Sequence, residues 1–185
     1  MKMSLTQEKL NAFSKNKLFL LVVGICVASL SFRINIYDPT MPILMDSLEF
    51  FSYAIDIHVL GGLPENYAVA KPGWSFLLTG LFSMFDLTET HSYMQLQRLA
   101  SIFISSITIF PLYFLCNIFV EKKYSIIGIT LFAFSPRLIE NSMYGTAEPF
   151  YILFFIMAIL FFLKNSKWIY LSFLFAGIST LIRPE

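Results

Sequence analysis

Cysteine and histidine are scarce in this chain, and nucleotide-binding glycine motifs are absent from its sequence. The two cysteines, Cys26 and Cys116, both fall inside apolar runs, so we expect small buried side chains and neither a disulfide nor a metal site. The two histidines, His58 and His91, have no second histidine or cysteine at ligand spacing and are expected to be polar surface residues. No zinc spacing, P-loop or dinucleotide-binding pattern occurs. With a net charge of only +1, no nucleic-acid partner is expected.

The chain has few charged residues and a high proportion of apolar residues. Charged residues make up 14% of the chain and hydrophobic residues 57%, with 21 phenylalanines among them. Soluble domains are usually about 45–50% apolar, and one soluble core cannot bury this excess. The composition therefore predicts an all-α integral membrane protein whose helices contact the lipid bilayer.

Five apolar runs are predicted to cross the membrane, and a sixth is too short to do so. A crossing helix needs about 20 apolar residues, with a range of roughly 17–25. The sixth run, Trp74–Phe85, lies between Pro72 and Asp86 and is predicted to be an interfacial or re-entrant helix. The predicted spans are Leu18 to about Ile36, Leu99–Val120, Tyr124 to about Pro136, about Met143 to Leu163, and Trp168–Ile182.

The distribution of charge predicts how these spans are oriented. Residues 1–17 form a polar tail with four lysines, and further lysines occur at 122–123 and at 164 and 167. If the five runs cross, these basic segments share one side, whereas ten of the 12 acidic residues lie on the other. Basic loops remain in the cytoplasm. We therefore predict a multi-pass protein of the plasma membrane with a cytoplasmic tail (1–17) and an outer loop (37–97).

A carboxylate-rich segment from Pro42 to Asp56 lies in this outer loop. If Met45–Leu60 is a helix, five of its polar side chains fall within an arc of about 120°: Asp46, Glu49, Ser52, Tyr53 and Asp56. The pattern predicts an amphipathic helix at the membrane surface, with an acidic stripe that faces water or the protein. Two simpler interpretations are a solvated surface face and a capping role for Asp46. Earlier in the loop, Asp38 is expected to be a turn residue.

Several basic residues near the outer ends of the spans are further candidates. Lys71 precedes Pro72, which suits the first turn of a helix. An ammonium group there opposes the helix dipole, so a phosphate or carboxylate partner is expected, and the alternative is an exposed loop lysine. Arg98 and Arg183 lie at outer ends of spans, where arginines either bind an anionic head group or anchor the interface.

Glu148 lies at the outer start of the fourth predicted span. An ionisable residue inside a membrane usually marks a functional site, because its burial in lipid is costly. The structural alternative is an ion pair with Arg137 or Arg98. The sequence therefore makes Glu148 a candidate for function without deciding between these two interpretations.

Short motifs occur along the chain in a characteristic order. After the lysine-containing tail and the acidic segment come Lys71-Pro72, Gln97-Arg98, Ser135-Pro-Arg137, Gly145-Thr-Ala-Glu-Pro149 and Leu181-Ile-Arg-Pro-Glu185. This order resembles the N-terminal half of the GT-C fold glycosyltransferases, which include protein O-mannosyltransferases, bacterial aminoarabinose transferases and archaeal enzymes of the family 39 or RgtA/B/C/D-like type. The stretch Asp46–Gly61 is most similar to the archaeal members. Residues 18–185 are accordingly expected to be the N-terminal part of a longer enzyme, truncated at its C-terminus.

The resemblance implies transfer of a sugar, with inversion, from a polyprenyl (dolichyl)-phosphate donor to a lipid, glycan or protein acceptor on the outer face. Asp46 matches the aspartate of the first loop in this family, which acts as base or orients the acceptor. Lys71 matches a position that contacts donor phosphate in some members. Ala70 replaces the acidic residue of the aminoarabinose transferases, which weakens a metal site like theirs. A divalent cation, Mg²⁺ or Mn²⁺, is compatible with the resemblance, but no metal ligand is assigned.

The remaining candidates complete the predicted site. Glu49, Asp56 and Glu148 are expected to be supporting carboxylates, although Glu49 has no firm counterpart in the family. Basic residues are expected to bind the donor phosphate, namely Lys71, Arg98, Arg137 and Arg183. Two alternatives stay open at this point: a transporter segment that uses Glu148 and the outer arginines, and a non-catalytic membrane fragment or subunit.

Overall fold

The described part of the chain folds into helices joined by loops and turns, in agreement with the predicted all-α class. The computed structural model describes residues 2–41, 43, 45–65, 69–85, 87–164 and 167–183, with side chains from residue 17 onward except that of Met45. Pro42, Asp86 and the ending Pro184–Glu185, which entered the sequence predictions, lie outside these ranges. Within the ranges there is no strand and there are nine helices: α1 (Lys2–Ile36), α2 (Met45–Leu60), α3 (Gly73–Phe85), α4 (Thr90–Ile107), α5 (Ile109–Phe119), α6 (Lys122–Ala133), α7 (Pro136–Met143), α8 (Glu148–Leu163) and α9 (Ile169–Ile182).

Two helical segments in the described ranges are long and apolar enough to cross a membrane, judged by length and composition. They are Lys17–Ile36, which contains the first predicted span, and Thr90–Phe119, which covers the second except for Val120. The other three predicted spans form helices of 12, 16 and 14 residues, namely α6, α8 and α9. These lengths are below the roughly 17–25 residues of a straight crossing helix. The structure therefore supports two candidate spans, and crossing by the other three helices stays a prediction.

Proline and glycine residues set where α6 and α7 end and where α7 and α8 begin. Ser135 is extended (φ −64°, ψ 122°) because a following proline disfavours helical geometry, and Pro136 then begins α7. Gly145 has a φ of +69° and closes the turn after α7, a conformation that favours glycine. Pro149 lies in the first turn of α8. The predicted fourth span, expected from about Met143, consequently begins only at Glu148.

Helices α4 and α5 form one apolar segment with a break at Thr108. Helix α4 already begins at Thr90, so the helix that holds the predicted span from Leu99 also takes in the last part of the predicted outer loop. The break has a local cause: Pro111 has no N–H, so it cannot bond the Ile107 carbonyl one turn earlier. The Thr108 carbonyl still accepts a hydrogen bond from the Leu112 amide at 3.1 Å, which keeps α5 on the line of α4.

Two clusters of buried apolar side chains hold the helices together. One joins α1, α5 and α6 through Val22, Ile109, Tyr113, Ile129 and Ala133. The other joins the α2–α3 pair to α4, α8 and α9, and its members are Phe51, Ala54, Trp74, Leu78, Phe82, Tyr93, Ala147, Phe150 and Ile182. Aromatic rings dominate the second cluster, where Phe82 meets Tyr93 edge-on with ring centroids 4.9 Å apart. The α2–α3 pair is thus packed onto the bundle by an apolar core.

Helix α2 has the predicted bounds, Met45–Leu60, and its predicted stripe faces water at some residues and the protein at others. Asp46, Glu49 and Ser52 are exposed and Asp56 is half-buried, whereas Tyr53 is only 4% exposed. The reason is that two neighbours cover α2. From α3, Ser75 and Thr79 donate to backbone carbonyls of α2, and from α4, Gln97 donates to the Ser47 carbonyl.

Arg33, near the end of α1, is fully buried among serines. Its Nε donates to Ser142 Oγ on α7 at 3.2 Å and its Nη2 to Ser105 Oγ on α4 at 3.4 Å. Its Nη1 donates to the carbonyl and hydroxyl oxygens of Ser29, one turn earlier on α1. Because a buried cation needs hydrogen-bond partners, this cluster fixes α1 against α4 and α7.

Candidate functional site

One cavity collects five of the eight predicted site residues. It has a volume of about 240 Å³. It lies where four segments meet: the start of α2, residues 69–71 before α3, the turn at 146–148 before α8, and the end of α9. The five predicted residues on its wall are Asp46, Glu49, Lys71, Glu148 and Arg183.

Groups of both charges line this cavity. Asp46 and Glu49 are exposed on α2, one helical turn apart, and Lys71 is half-buried on the segment that leads into α3. On the α8–α9 side, Arg183 Nη1 donates to Glu148 Oε1 at 2.5 Å, and the two side chains are 37% and 26% exposed. The Glu148 charge is therefore balanced by Arg183. The cavity presents carboxylates that can orient a hydroxyl group beside cations that can bind an anion.

The partner of Glu148 differs from the predicted alternative. The sequence suggested an ion pair with Arg137 or Arg98, but the structure pairs Glu148 with Arg183. The cause is the antiparallel packing of α8 and α9, which brings the first residue of α8 beside the residue that follows α9. Glu148 thus begins its helix, where a carboxylate also interacts favourably with the helix dipole.

The turn between α7 and α8 is held by buried hydrogen bonds. The Gly145 carbonyl accepts two of them, from Gln97 Nε2 at 2.8 Å and from Trp74 Nε1 at 3.2 Å. A Cβ at Gly145 would lie 3.1 Å from Gln97 Cγ, so both the positive φ and the space favour glycine here. Ser101 Oγ donates to the Thr146 carbonyl at 3.3 Å. These contacts fix residues 146–148 on the cavity wall.

Gln97 connects the two sides of the cavity. It is fully buried, and its Nε2 donates to the Ser47 carbonyl at 3.1 Å as well as to the Gly145 carbonyl. Ser47 is next to Asp46, and Gly145 is three residues before Glu148. Sequence reasoning did not assign roles to Gln97, Trp74 or Gly145. The sequence did contain a signal for Gln97: its amide lies at the start of an apolar run, and a buried amide needs hydrogen-bond partners.

Arg98, Arg137 and Asp56 do not line the cavity. Arg137 is exposed on α7, and Asp56 is half-buried further along α2. Arg98 is 3% exposed, and it donates to the Asp38 carbonyl at 3.3 Å and to the Met41 carbonyl. Arg98 therefore holds the loop that follows α1, a role closer to structural anchoring than to ligand binding.

Asp38 is a turn residue, as the sequence predicts. Its Oδ1 accepts hydrogen bonds from the Thr40 hydroxyl at 2.6 Å and the Thr40 amide at 2.8 Å. These two bonds, the hydroxyl first, favour the ionised carboxylate and hold the pKa of Asp38 below its usual value. The turn and the Arg98 contacts together order the connection between α1 and α2.

The two histidines have different environments. His58 is half-buried, with Nδ1 3.1 Å from Ser83 Oγ and Nε2 3.4 Å from Tyr93 Oη, so it is a partly covered residue of the surface. The reason is that α2, α3 and α4 converge on it. His91 is exposed and lies 2.8 Å from Gln95 Nε2, as expected of a polar surface residue.

Metal-binding groups are limited in the part of the chain that the structure describes. There, no group of three or more histidine, cysteine, aspartate or glutamate side chains could hold a metal ion. Mg²⁺ is often bound through only one or two carboxylates together with substrate phosphates. On the cavity wall, Asp46 and Glu49 are the carboxylates that fit such a site, since Glu148 is paired with Arg183.

Comparison of the chain with protein-family models, curated proteins and solved structures finds no match. Function is therefore inferred from the geometry of the cavity and its surroundings.

Proposed function

We propose that this chain belongs to a membrane glycosyltransferase with a GT-C-like architecture. It would transfer a sugar from a polyprenyl (dolichyl)-phosphate donor to a lipid, glycan or protein acceptor on the outer face of the plasma membrane. The observation that carries the proposal is the cavity that brings Asp46 and Glu49 together with Lys71 and the Glu148–Arg183 pair. In this proposal Asp46 is the base, and Lys71 and Arg183 bind the donor phosphate.

The chemistry requires both kinds of charge. The acceptor hydroxyl oxygen attacks the anomeric carbon while the bond from that carbon to the phosphate oxygen breaks. Asp46 takes the hydroxyl proton, and the polyprenyl phosphate leaves with the electron pair, which inverts the anomeric centre. Fixed cations stabilise the charge that develops on the leaving phosphate, and a positioned base contributes about 10²–10⁴-fold to such a step. A Mg²⁺ or Mn²⁺ ion, if bound, would be held by Glu49 together with the donor phosphate and would add further charge stabilisation, which leaves Asp46 to accept the proton.

A second cavity supports a donor with an apolar tail. It has a volume of about 370 Å³ and runs between α8 and α9. Phe155 and Phe162 line its apolar side, Ser172 and Ala176 line the facing helix, and Arg183 lies on its wall. Because Arg183 also lines the charged cavity, an amphiphile could place its phosphate at Arg183 and its tail between the two helices.

Membrane insertion with five spans belongs to the same proposal. Large apolar side chains are exposed on the outside of the bundle, for example Leu20 (67%), Leu131 (70%), Tyr170 (79%) and Phe173 (66%). Such a surface needs an apolar surrounding. With the basic segments in the cytoplasm, a thiol reagent added outside whole cells should label Glu89→Cys and not Lys122→Cys in a cysteine-free background. Labelling of Lys122→Cys alone would reverse this orientation.

The activity test uses membranes that contain the chain in its full reading frame, supplied with prenyl-phosphate sugars. Asp46→Asn should lower sugar transfer by about 10²–10⁴-fold, because it removes the proton acceptor. Helix α2 should keep its structure, since asparagine has the same shape as aspartate. The matched control is Glu65→Gln, which removes a carboxylate charge from an exposed residue of the same loop and should leave transfer unchanged. Normal transfer by Asp46→Asn would refute the role of this residue. Solute flux in liposomes that Glu148→Gln abolishes, without any transfer, would favour a transporter instead.

A further inference from the structure

A groove between α5 and α8 lies away from the charged cavity. It has a volume of about 500 Å³, roughly twice that of the charged cavity. The α5 side is formed by Phe110, Phe114 and Ile118, which repeat every four residues along one face. The α8 side includes Met157 and Phe161, also four residues apart. These two stripes make an apolar channel that runs along the helices.

The groove ends at a basic residue. Lys164, the residue that follows α8, lies on its wall and is exposed. Helix α5 ends at Phe119, close in sequence to Lys122 and Lys123. Glu121 is the acidic residue between α5 and α6, and it is paired with Lys123 at 3.0 Å. The end of the groove near Lys164 is thus apolar within and positively charged at its rim.

We propose that this groove binds an anionic glycerophospholipid, with an acyl chain along the aromatic stripes and the phosphate at Lys164. The lysine-rich connections face the cytoplasm in the proposed orientation, and the cytoplasmic leaflet is where anionic lipids and basic residues meet. A second copy of this chain would cover the apolar stripes but would bring an equally basic rim, so charge complementarity favours the lipid. The proposal depends on membrane insertion and is independent of sugar transfer.

The test measures lipid retained by the purified chain. Native mass spectrometry after mixing with phosphatidylglycerol or phosphatidylcholine of identical acyl chains should show preferential retention of phosphatidylglycerol. Lys164→Gln should weaken that retention about fivefold, which is the effect of one lysine near an anionic lipid surface. Lys167→Gln is the matched control: it removes the same charge from an exposed lysine that does not line the groove, and it should have little effect.

A second pair of variants tests the apolar part. Ile118→Trp fills the groove at a side chain that is 47% exposed, so it should lower the retention of both lipids without unfolding the chain. The control is Phe119→Trp, at the neighbouring residue, which is 68% exposed and lies outside the groove. It should leave the retention of both lipids unchanged. Equal effects of Lys164→Gln and Lys167→Gln would overturn the proposal, as would lipid retention that is insensitive to Ile118→Trp. Dimers that crosslink through Phe114→Cys in phosphatidylcholine discs would show that a second copy occupies the groove and would also overturn it.

Discussion

Replacing the buried amide of Gln97 by methionine removes two hydrogen bonds while keeping the length of the side chain. The bonds run from Nε2 to the carbonyls of Ser47 and Gly145, which belong to opposite sides of the charged cavity. The change should therefore loosen the contact between α2 and the α7–α8 turn, while the cluster around Val22 on the other side of the bundle keeps its packing.

The expected loss of stability follows from what each partner retains. A buried carbonyl that loses its donor costs about 1–3 kcal/mol, but Gly145 keeps its bond from Trp74 Nε1. Gln97 Oε1 is buried without a partner among the described residues, so its removal offsets part of the loss. We expect a net loss of about 2 kcal/mol, which for a chain of this size lowers the melting temperature by roughly 4–8 °C.

Thermal unfolding in detergent and hydrogen exchange measure this effect together. Gln97→Met should lower the melting temperature and speed exchange at residues 46–49 and 146–148, with little change along α5 and α6. Gln95→Met is the matched control, because the Gln95 amide bonds only to His91 on the same helix among the contacts described. Its loss of unfolding free energy should stay within about 0.5 kcal/mol. Equal melting temperatures for Gln97→Met and the unmodified chain would refute the idea that Gln97 joins the two sides, and so would faster exchange that is uniform over all helices.

Two further predictions concern α3 and the loop after α1. Gly73→Ala should cost about 1–3 kcal/mol in thermal unfolding, because its Cβ would lie 3.0 Å from Ile182 Cγ1 and from a backbone oxygen. Gly80→Ala, on the same helix with nothing within 4 Å, should be neutral or stabilising by up to about 1 kcal/mol, and a reversed order would contradict the packing of α3 on α9. Because the pKa of Asp38 is lowered in the folded chain, the stability that its carboxylate contributes is present above the unfolded pKa of about 3.9 and is lost as the pH falls through the folded value. Thr40→Val should move the Asp38 pKa back toward its ordinary value in an NMR titration, and an unchanged pKa would exclude the Thr40 hydroxyl as its main cause.

Local pattern was sufficient to predict several of the helices and part of the site. The bounds of α2 follow from a polar stripe at helical spacing, and the end of α6 follows from Pro136. Asp46 and Glu49 could be placed on one exposed face because that face depends only on helical periodicity. The break at Thr108 could also have been predicted, since Pro111 lies inside the second span.

Contacts between distant residues could not be predicted in the same way. The pairing of Glu148 with Arg183 depends on how α8 packs against α9, and the sequence offered three arginines of similar position and chemistry. Burial of Tyr53 depends on which neighbours cover α2, a property of the assembled bundle. The hydrogen bonds by which Gln97 joins the two sides of the cavity likewise depend on the packing of α2, α4 and the α7–α8 turn in the folded bundle.

The serine-lined burial of Arg33 has a consequence for biogenesis. Its partner Ser142 follows it by 109 residues, so at about 5–20 residues per second the ribosome needs roughly 5–20 s to supply that hydroxyl. If α1 inserts into a membrane as proposed, its guanidinium group must stay during this interval in the head-group region, where a long arginine side chain can reach water. Helix α1 would therefore first insert with Arg33 at the membrane surface. It would reach its final position only after α4 and α7 have been synthesised and supply Ser105 and Ser142 as hydrogen-bond partners. A translation arrest placed before Ser142 should trap this early state.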